Sequence, residues 1–170
     1  LSPQDDKAKL DWGDKPSVLM EYAWSHYKID PNRIYITGLS MGGIGTINYI
    51  QSTTFFKAAD FAAAAVAPGG AHHLSGSVES DTPENDIPFW ALNGSNDTAG
   101  TPHGPMTRLV DEINKCVPTP SPKAYLHLIE GVGHNVWDRF YRTDHSAYNP
   151  TVYEWFLMNP KGASNTIPNQ

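Results

Sequence analysis

Apolar positions along the chain recur in two rhythms, and the switches between them mark the elements. Val18, Leu19, Tyr22, Ala23 and Tyr27 fall at helical spacing and Pro16 suits a first turn, so the pattern predicts a helix over 15–28. Asp30-Pro31-Asn32-Arg33 makes a turn, and Ile34 to Thr37 is a short β-rich run ended by Gly38. A helix follows over 42–52, carrying Ile44, Ile47, Tyr49 and Ile50. Phe61 to Ala67 and Pro88 to Leu92 read as two further strands, separated by a loop over 68–87 rich in Gly, Ser, Asp and Pro; a loop of that length often borders a site. A third helix over 102–116 has Thr101 as N-cap and Pro102 at its first position, with Met106, Leu109, Val110 and Ile113 inward. Lys123 to Ile129 forms a last strand, Asn149-Pro150 opens a closing helix through Met158, and 135–148 carries no pattern that defines an element. Strands alternating with helices predict an α/β fold, a mostly parallel sheet flanked by helices, as one unit over 1–160 with a polar tail over 161–170.

Composition narrows the partners. With 170 residues, 39% of them hydrophobic and 11% aromatic, the chain can bury a real core. Its formal charge of −6 comes from scattered acids, and no basic cluster is present, which argues against nucleic acid as a partner. The longest apolar run, Phe61 to Pro68, is too short and alanine-rich to span a bilayer, so no membrane anchor is expected. Cys116 is the single cysteine, so no disulfide can form within the chain and the redox compartment stays open.

Chemistry concentrates at Gly38-Leu39-Ser40-Met41-Gly42, a G-x-S-x-G pattern with a strand before it and a helix after it. In that setting the serine sits on a tight, strained turn with its Oγ exposed above the sheet, and small residues are needed at both ends because strand and helix backbones crowd there. A glycine-rich turn between strand and helix can also be purely structural, so the pattern needs support from elsewhere in the chain. Order along the chain supplies it. An acid and then a histidine are expected on loops after later strands. The strand Pro88 to Leu92 runs into Asn93-Gly94-Ser95-Asn96-Asp97, which makes Asp97 the candidate acid, although Asn, Gly and Asp also cluster in ordinary turns. Asp81, Glu84 and Asp86 precede that strand, and Asp138 and Asp144 follow the histidine, so they fit less well.

The last strand ends in Glu130-Gly131-Val132-Gly133-His134, and His134 is the candidate base, with an exposed loop histidine as the plainer alternative. His26 lies on a helix, His127 inside a strand and His103 at a helix start; His72 and His73, on the long loop, are candidates to line the site. Two adjacent histidines without further ligands make a poor metal site, and no cofactor is expected. Ser40 would attack a carbonyl as His134 takes its proton, Asp97 would hold the imidazole tautomer, and the backbone N–H of Met41 would face the developing oxyanion. Trp137 would stand near His134 in a compact loop, offering an aromatic face to a sugar ring or a feruloyl group; packing the loop against the core is the alternative.

These residues resemble a known group of α/β-hydrolase-fold serine esterases, the extracellular enzymes that include polyhydroxybutyrate depolymerases and feruloyl and acetylxylan esterases. The resemblance is carried by Ser2-Pro3-Gln4, by Asp30 to Gly43, by Pro88 to Asp97 and by Gly133-His134-Asn135-Val136-Trp137-Asp138, with Asn93 where the group commonly has His. It implies Ser40, Asp97 and His134 as the triad, a small-molecule or carbohydrate ester as substrate, and a secreted or periplasmic protein. It also implies that Ser2-Pro3-Gln4 follows the fourth strand of the full fold. The chain is then expected to be the C-terminal part of the domain, without its first strands and without the loop that usually provides a second oxyanion donor. A serine peptidase, an acyltransferase and a non-catalytic binding module derived from the fold are the rival readings, since fold and triad alone do not separate them.

Overall fold

Pro16 opens the first helix, α1 (Lys15–His26), because a proline in the first turn gives up an N–H that the helix leaves unpaired anyway. The computed structural model describes residues 14–50, 63–69, 87–98, 103–115 and 123–161. After α1 come β1 (Tyr35–Ser40), α2 (Met41–Ile50), β2 (Ala63–Gly69), β3 (Phe89–Gly94), α3 (His103–Lys115), β4 (Tyr125–Ile129), α4 (Trp137–Phe140) and α5 (Val152–Met158). The expected long loop over 68–87, apart from the end of β2 and Ile87, lies outside the described residues, as do Thr101, Pro102 and the tail over 162–170.

The four strands among the described residues are all parallel and stand in the spatial order β1-β2-β3-β4. Spatial order equal to chain order has a consequence. Right-handed crossovers that all step in one direction deposit their helices on one face of the sheet. Accordingly α2 and α3 share a face, where Ile47, Tyr49, Met106, Leu109 and Val110 cluster with Ile36, Phe89 and Ala91. The chain after β4 returns across the other face, where Phe140, Tyr148, Val152, Trp155 and Phe156 pack with Trp90 and Leu92. Alternate residues of β3 thus enter opposite cores, and an interior strand covered on both faces is buried along its whole length. Trp90 anchors the second core, meeting Phe140, Trp155 and Tyr148 edge-on at ring separations of 4.9, 5.4 and 5.6 Å.

Three expectations change. In α1 the buried residues are Pro16 and Ala23, with Met20 packed against the core, while Val18, Tyr22 and Tyr27 are exposed. Helical spacing tells which residues share a face, but the roll of the helix on the sheet decides which face is covered; Tyr22 instead stacks on His26 at the surface, 4.0 Å between rings. The segment 135–148 contains α4, a single turn too short to carry a periodic signal. The closing helix starts at Val152 rather than at Asn149-Pro150, because Thr151 caps it. The Thr151 hydroxyl accepts from the Glu154 backbone N–H at 3.3 Å and the Glu154 carboxylate accepts from the Thr151 N–H at 2.9 Å. That reciprocal box is written in the sequence as Thr151-x-x-Glu154. Thr151→Ala is expected to cost about 1 kcal/mol, read as a lower urea midpoint with an unchanged slope, and Thr151→Ser is expected to recover most of it. No helix among the described residues is long and apolar enough to cross a membrane.

Candidate active site

A parallel sheet sends the C-terminal ends of its strands to one rim, and Ser40 ends β1 while Asp97 and His134 lie just past the ends of β3 and β4. Ser40 is the last residue of β1, and Met41 begins α2 with no linker between them. The reversal is made at Ser40 itself, whose φ of 51° lies in the left-handed region. A residue with a Cβ held there stores roughly 1–3 kcal/mol of strain. Close packing leaves the turn little choice: a Cβ at Gly38 would lie 2.2 Å from the Gly42 carbonyl oxygen and 2.8 Å from Thr46 Oγ1. That carbonyl is held by the Thr46 hydroxyl, which donates to it at 2.9 Å.

The loops after β3 and β4 are joined backbone to backbone. Ser95 N–H donates to Ile129 O and Asn96 N–H to Val132 O, both at 2.9 Å, and Gly131 N–H donates to Ser95 Oγ at 2.8 Å. Gly131 turns at φ 73° to allow it. Asp97 is fixed by its own N–H, which donates to Gly94 O, and its side chain is wholly buried. His134 comes off the second loop with its Nδ1 2.9 Å from Asp97 Oδ2 and its Nε2 3.0 Å from Ser40 Oγ. An ionised carboxylate only accepts, so Nδ1 carries the proton and donates to Asp97, and the Nε2 lone pair accepts from the Ser40 hydroxyl. His134 keeps 23% of its side chain exposed.

Trp137, the first residue of α4, lies edge-on to the His134 ring at 5.3 Å and also packs against the second core. It therefore does what the packing alternative requires while standing beside the histidine. Met41 is half exposed, and its N–H belongs to the first turn of α2, where no intrahelical acceptor exists and the helix dipole is positive. The poorer acid candidates sit elsewhere: Asp138 accepts from Asn135 Nδ2, and Asp144 takes a forked contact from Arg142 at 2.7 and 2.6 Å. Arg142 and Ser146 hold the Asp144 carboxyl well below the usual carboxylate range. Asp81, Glu84, Asp86, His72 and His73 lie outside the described residues. Among the described residues, no three His, Cys, Asp or Glu side chains are grouped to hold a metal ion.

One tie was not legible in the sequence. Thr37 Oγ1 and Tyr141 Oη lie 2.6 Å apart, linking the strand that ends in Ser40 to the segment that follows α4. Burial pushes the Tyr141 hydroxyl up to about 12, so it stays protonated as a hydrogen-bonding group.

No protein-family model matches the chain, and no curated protein matches it. Solved structures do. One of them, described as a thermostable esterase, superposes with a TM-score of 0.51 at 24% identity over 86% of this chain and 36% of that one. At that identity the likeness is one of fold, helices flanking a parallel sheet, and the chain spans little more than a third of the esterase's length.

Proposed function

We propose that this chain carries the nucleophile, acid and base of a serine carboxylesterase built on the α/β-hydrolase fold, and that it belongs with the secreted esterases it resembles in sequence. The observation that carries the reading is the unbroken line from Ser40 Oγ through His134 to Asp97, at 3.0 and 2.9 Å, made by three separate strand ends. The fold likeness to a thermostable esterase is consistent with it.

In this reading the Ser40 hydroxyl attacks an ester carbonyl while His134 Nε2 accepts its proton. The imidazolium is stabilised by the buried Asp97 carboxylate and gives the proton to the leaving alcohol oxygen, leaving an acyl group on Ser40. Water, deprotonated by the same Nε2, then attacks the acyl carbon and the acid departs. The Met41 N–H faces the oxygen that gains charge in both steps. Trp137 gives the site an aromatic wall next to the base, and small or carbohydrate-linked carboxylic esters are the proposed substrates.

A fluorophosphonate probe tests the reading without assuming a substrate. The folded chain is expected to be labelled at Ser40, located by peptide mass spectrometry, with Ser40→Ala as the unlabelled background. Asp97→Asn is expected to slow labelling by about 10⁴-fold, because an amide can donate to Nδ1 and turn the Nε2 proton toward Ser40. A folded wild-type chain that stays unlabelled would sink the proposal for this chain and favour a non-catalytic binding module.

A further inference from the structure

Along β4, the last strand of the described sheet, β4, α4 and the segment after α4 line an open cavity of about 380 Å³. That is within the range of small-molecule clefts, roughly 300–1,000 Å³. Its polar lining is His127, Arg139, Arg142, Ser146 and Tyr148, and among the described residues no carboxylate lines it, although the chain as a whole carries a charge of −6. Arg142 and Ser146 are engaged with each other's partner: both donate to Asp144, Ser146 Oγ at 2.6 Å, so that nearby negative charge is already matched.

The other three polar groups have no such partner among the described residues. Among the described residues the Arg139 guanidinium, the His127 imidazole and the Tyr148 hydroxyl make no hydrogen bond or ion pair. His127 is oriented only by ring contact, edge-on to Tyr148 at 5.2 Å. Burial lowers the His127 pKa, leaving a neutral ring with one N–H to give. Burial also pushes the Tyr148 hydroxyl up to about 12 against the opposing pull of the Arg139 charge, so it remains a donor. Arg139, His127 and Tyr148 thus line one space and bring to it a guanidinium fork, an imidazole and a phenol; the ring nitrogen and the hydroxyl can also accept, but the guanidinium only donates and carries a permanent charge, so the ligand it favours is an acceptor that is negative.

We propose that this cavity is a binding site for a small oxyanion-bearing molecule, a carboxylate or a phosphate, with Arg139 as its principal contact. The site stands independently of the chemistry assigned to Ser40. A neutral sugar would satisfy the donors but leave the Arg139 charge unmatched.

The test is titration of the full, folded chain with glucuronate, with inorganic phosphate and with glucose as the uncharged control, followed by calorimetry and by the NMR signals of the Arg139 side chain and His127 ring. Saturable binding of glucuronate, phosphate or both is expected with a dissociation constant at or below about 1 mM. Glucuronate alone identifies a carboxylate ligand and phosphate alone a phosphate ligand. Arg139→Gln is expected to weaken binding about tenfold or more, and Tyr148→Phe to weaken it less, with Ser40 labelling by the fluorophosphonate unchanged in Arg139→Gln. Arg139 is exposed, so that variant is not expected to disturb folding. The proposal is overturned if neither oxyanion moves the Arg139 and His127 signals, if Arg139→Gln binds as well as the wild type, or if glucose binds equally.

Discussion

His134→Ala is expected to slow fluorophosphonate labelling of Ser40 by about 10⁶-fold, the scale seen when the base of an assembled serine relay is removed. The size follows from the geometry. Among the described residues the proton acceptor at the Ser40 hydroxyl is Nε2 at 3.0 Å, and a serine hydroxyl without a base is a weak nucleophile at neutral pH. Removing the imidazole also takes from the buried Asp97 carboxylate the N–H that donates to it at 2.9 Å. A loss of stability is therefore expected beside the loss of reactivity, and the two are separated by comparing urea midpoints with labelling rates. His26→Ala and His145→Ala provide the contrast, since those rings bond to Tyr22 O and to Glu154 and make no contact with Ser40. If His134→Ala labels within about tenfold of the wild type at equal foldedness, Ser40 is not activated by His134 and the relay reading fails.

Gly94→Ala is expected to destabilise the chain by about 3–5 kcal/mol and to abolish labelling at Ser40, because one added methyl meets fixed backbone at the junction of two loops. Its Cβ would lie 2.2 Å from both the Gly133 and the Val132 carbonyl oxygens. Neither oxygen is the end of a flexible side chain, so the loops themselves must separate. Separation breaks Asn96 N–H to Val132 O and draws Asp97 from His134, whose positions depend on that junction. A loss of this size is a large share of the 5–15 kcal/mol that typically holds a domain together. Gly104→Ala is the matched control: nothing lies within 4 Å of its Cβ position in α3, and a gain of about 1 kcal/mol or less is expected from the better helix former. A Gly94→Ala chain that melts and labels like the wild type would show that the two loops are not coupled as described.

The elements most legible in the sequence were those with a dense local signal. The β-rich run before Gly38, the G-x-S-x-G turn and the inward Met106, Leu109 and Val110 of α3 all occupy the positions their patterns predict, with boundaries moved by one to three residues. The capping box at Thr151 is overshadowed in the sequence by Asn149-Pro150, which offers a stronger start signal two residues earlier. The spacing in α1 takes in the buried Ala23 but leaves open which face is covered, for a different reason. Val18 and Tyr22 are as periodic as Met20 and Ala23, and only the sheet chooses between adjacent faces of one helix.

The sequence by itself determined which strand ends carry Ser40, Asp97 and His134, because side-chain period, turn glycines and chain order are local properties that a few neighbouring residues impose. Only the tertiary structure decided that these groups touch. Ser40 and His134 are separated by 94 positions, and Asp97 and His134 by 37. Their meeting depends on the register of β3 on β4, on crossovers that all step one way, and on the joined loops that Gly94 permits. The cavity around Arg139 belongs to the same category, since its polar lining comes from β4, α4 and the chain beyond it. Contacts of this kind are set by how whole elements pack, and a residue's immediate neighbours carry no information about that.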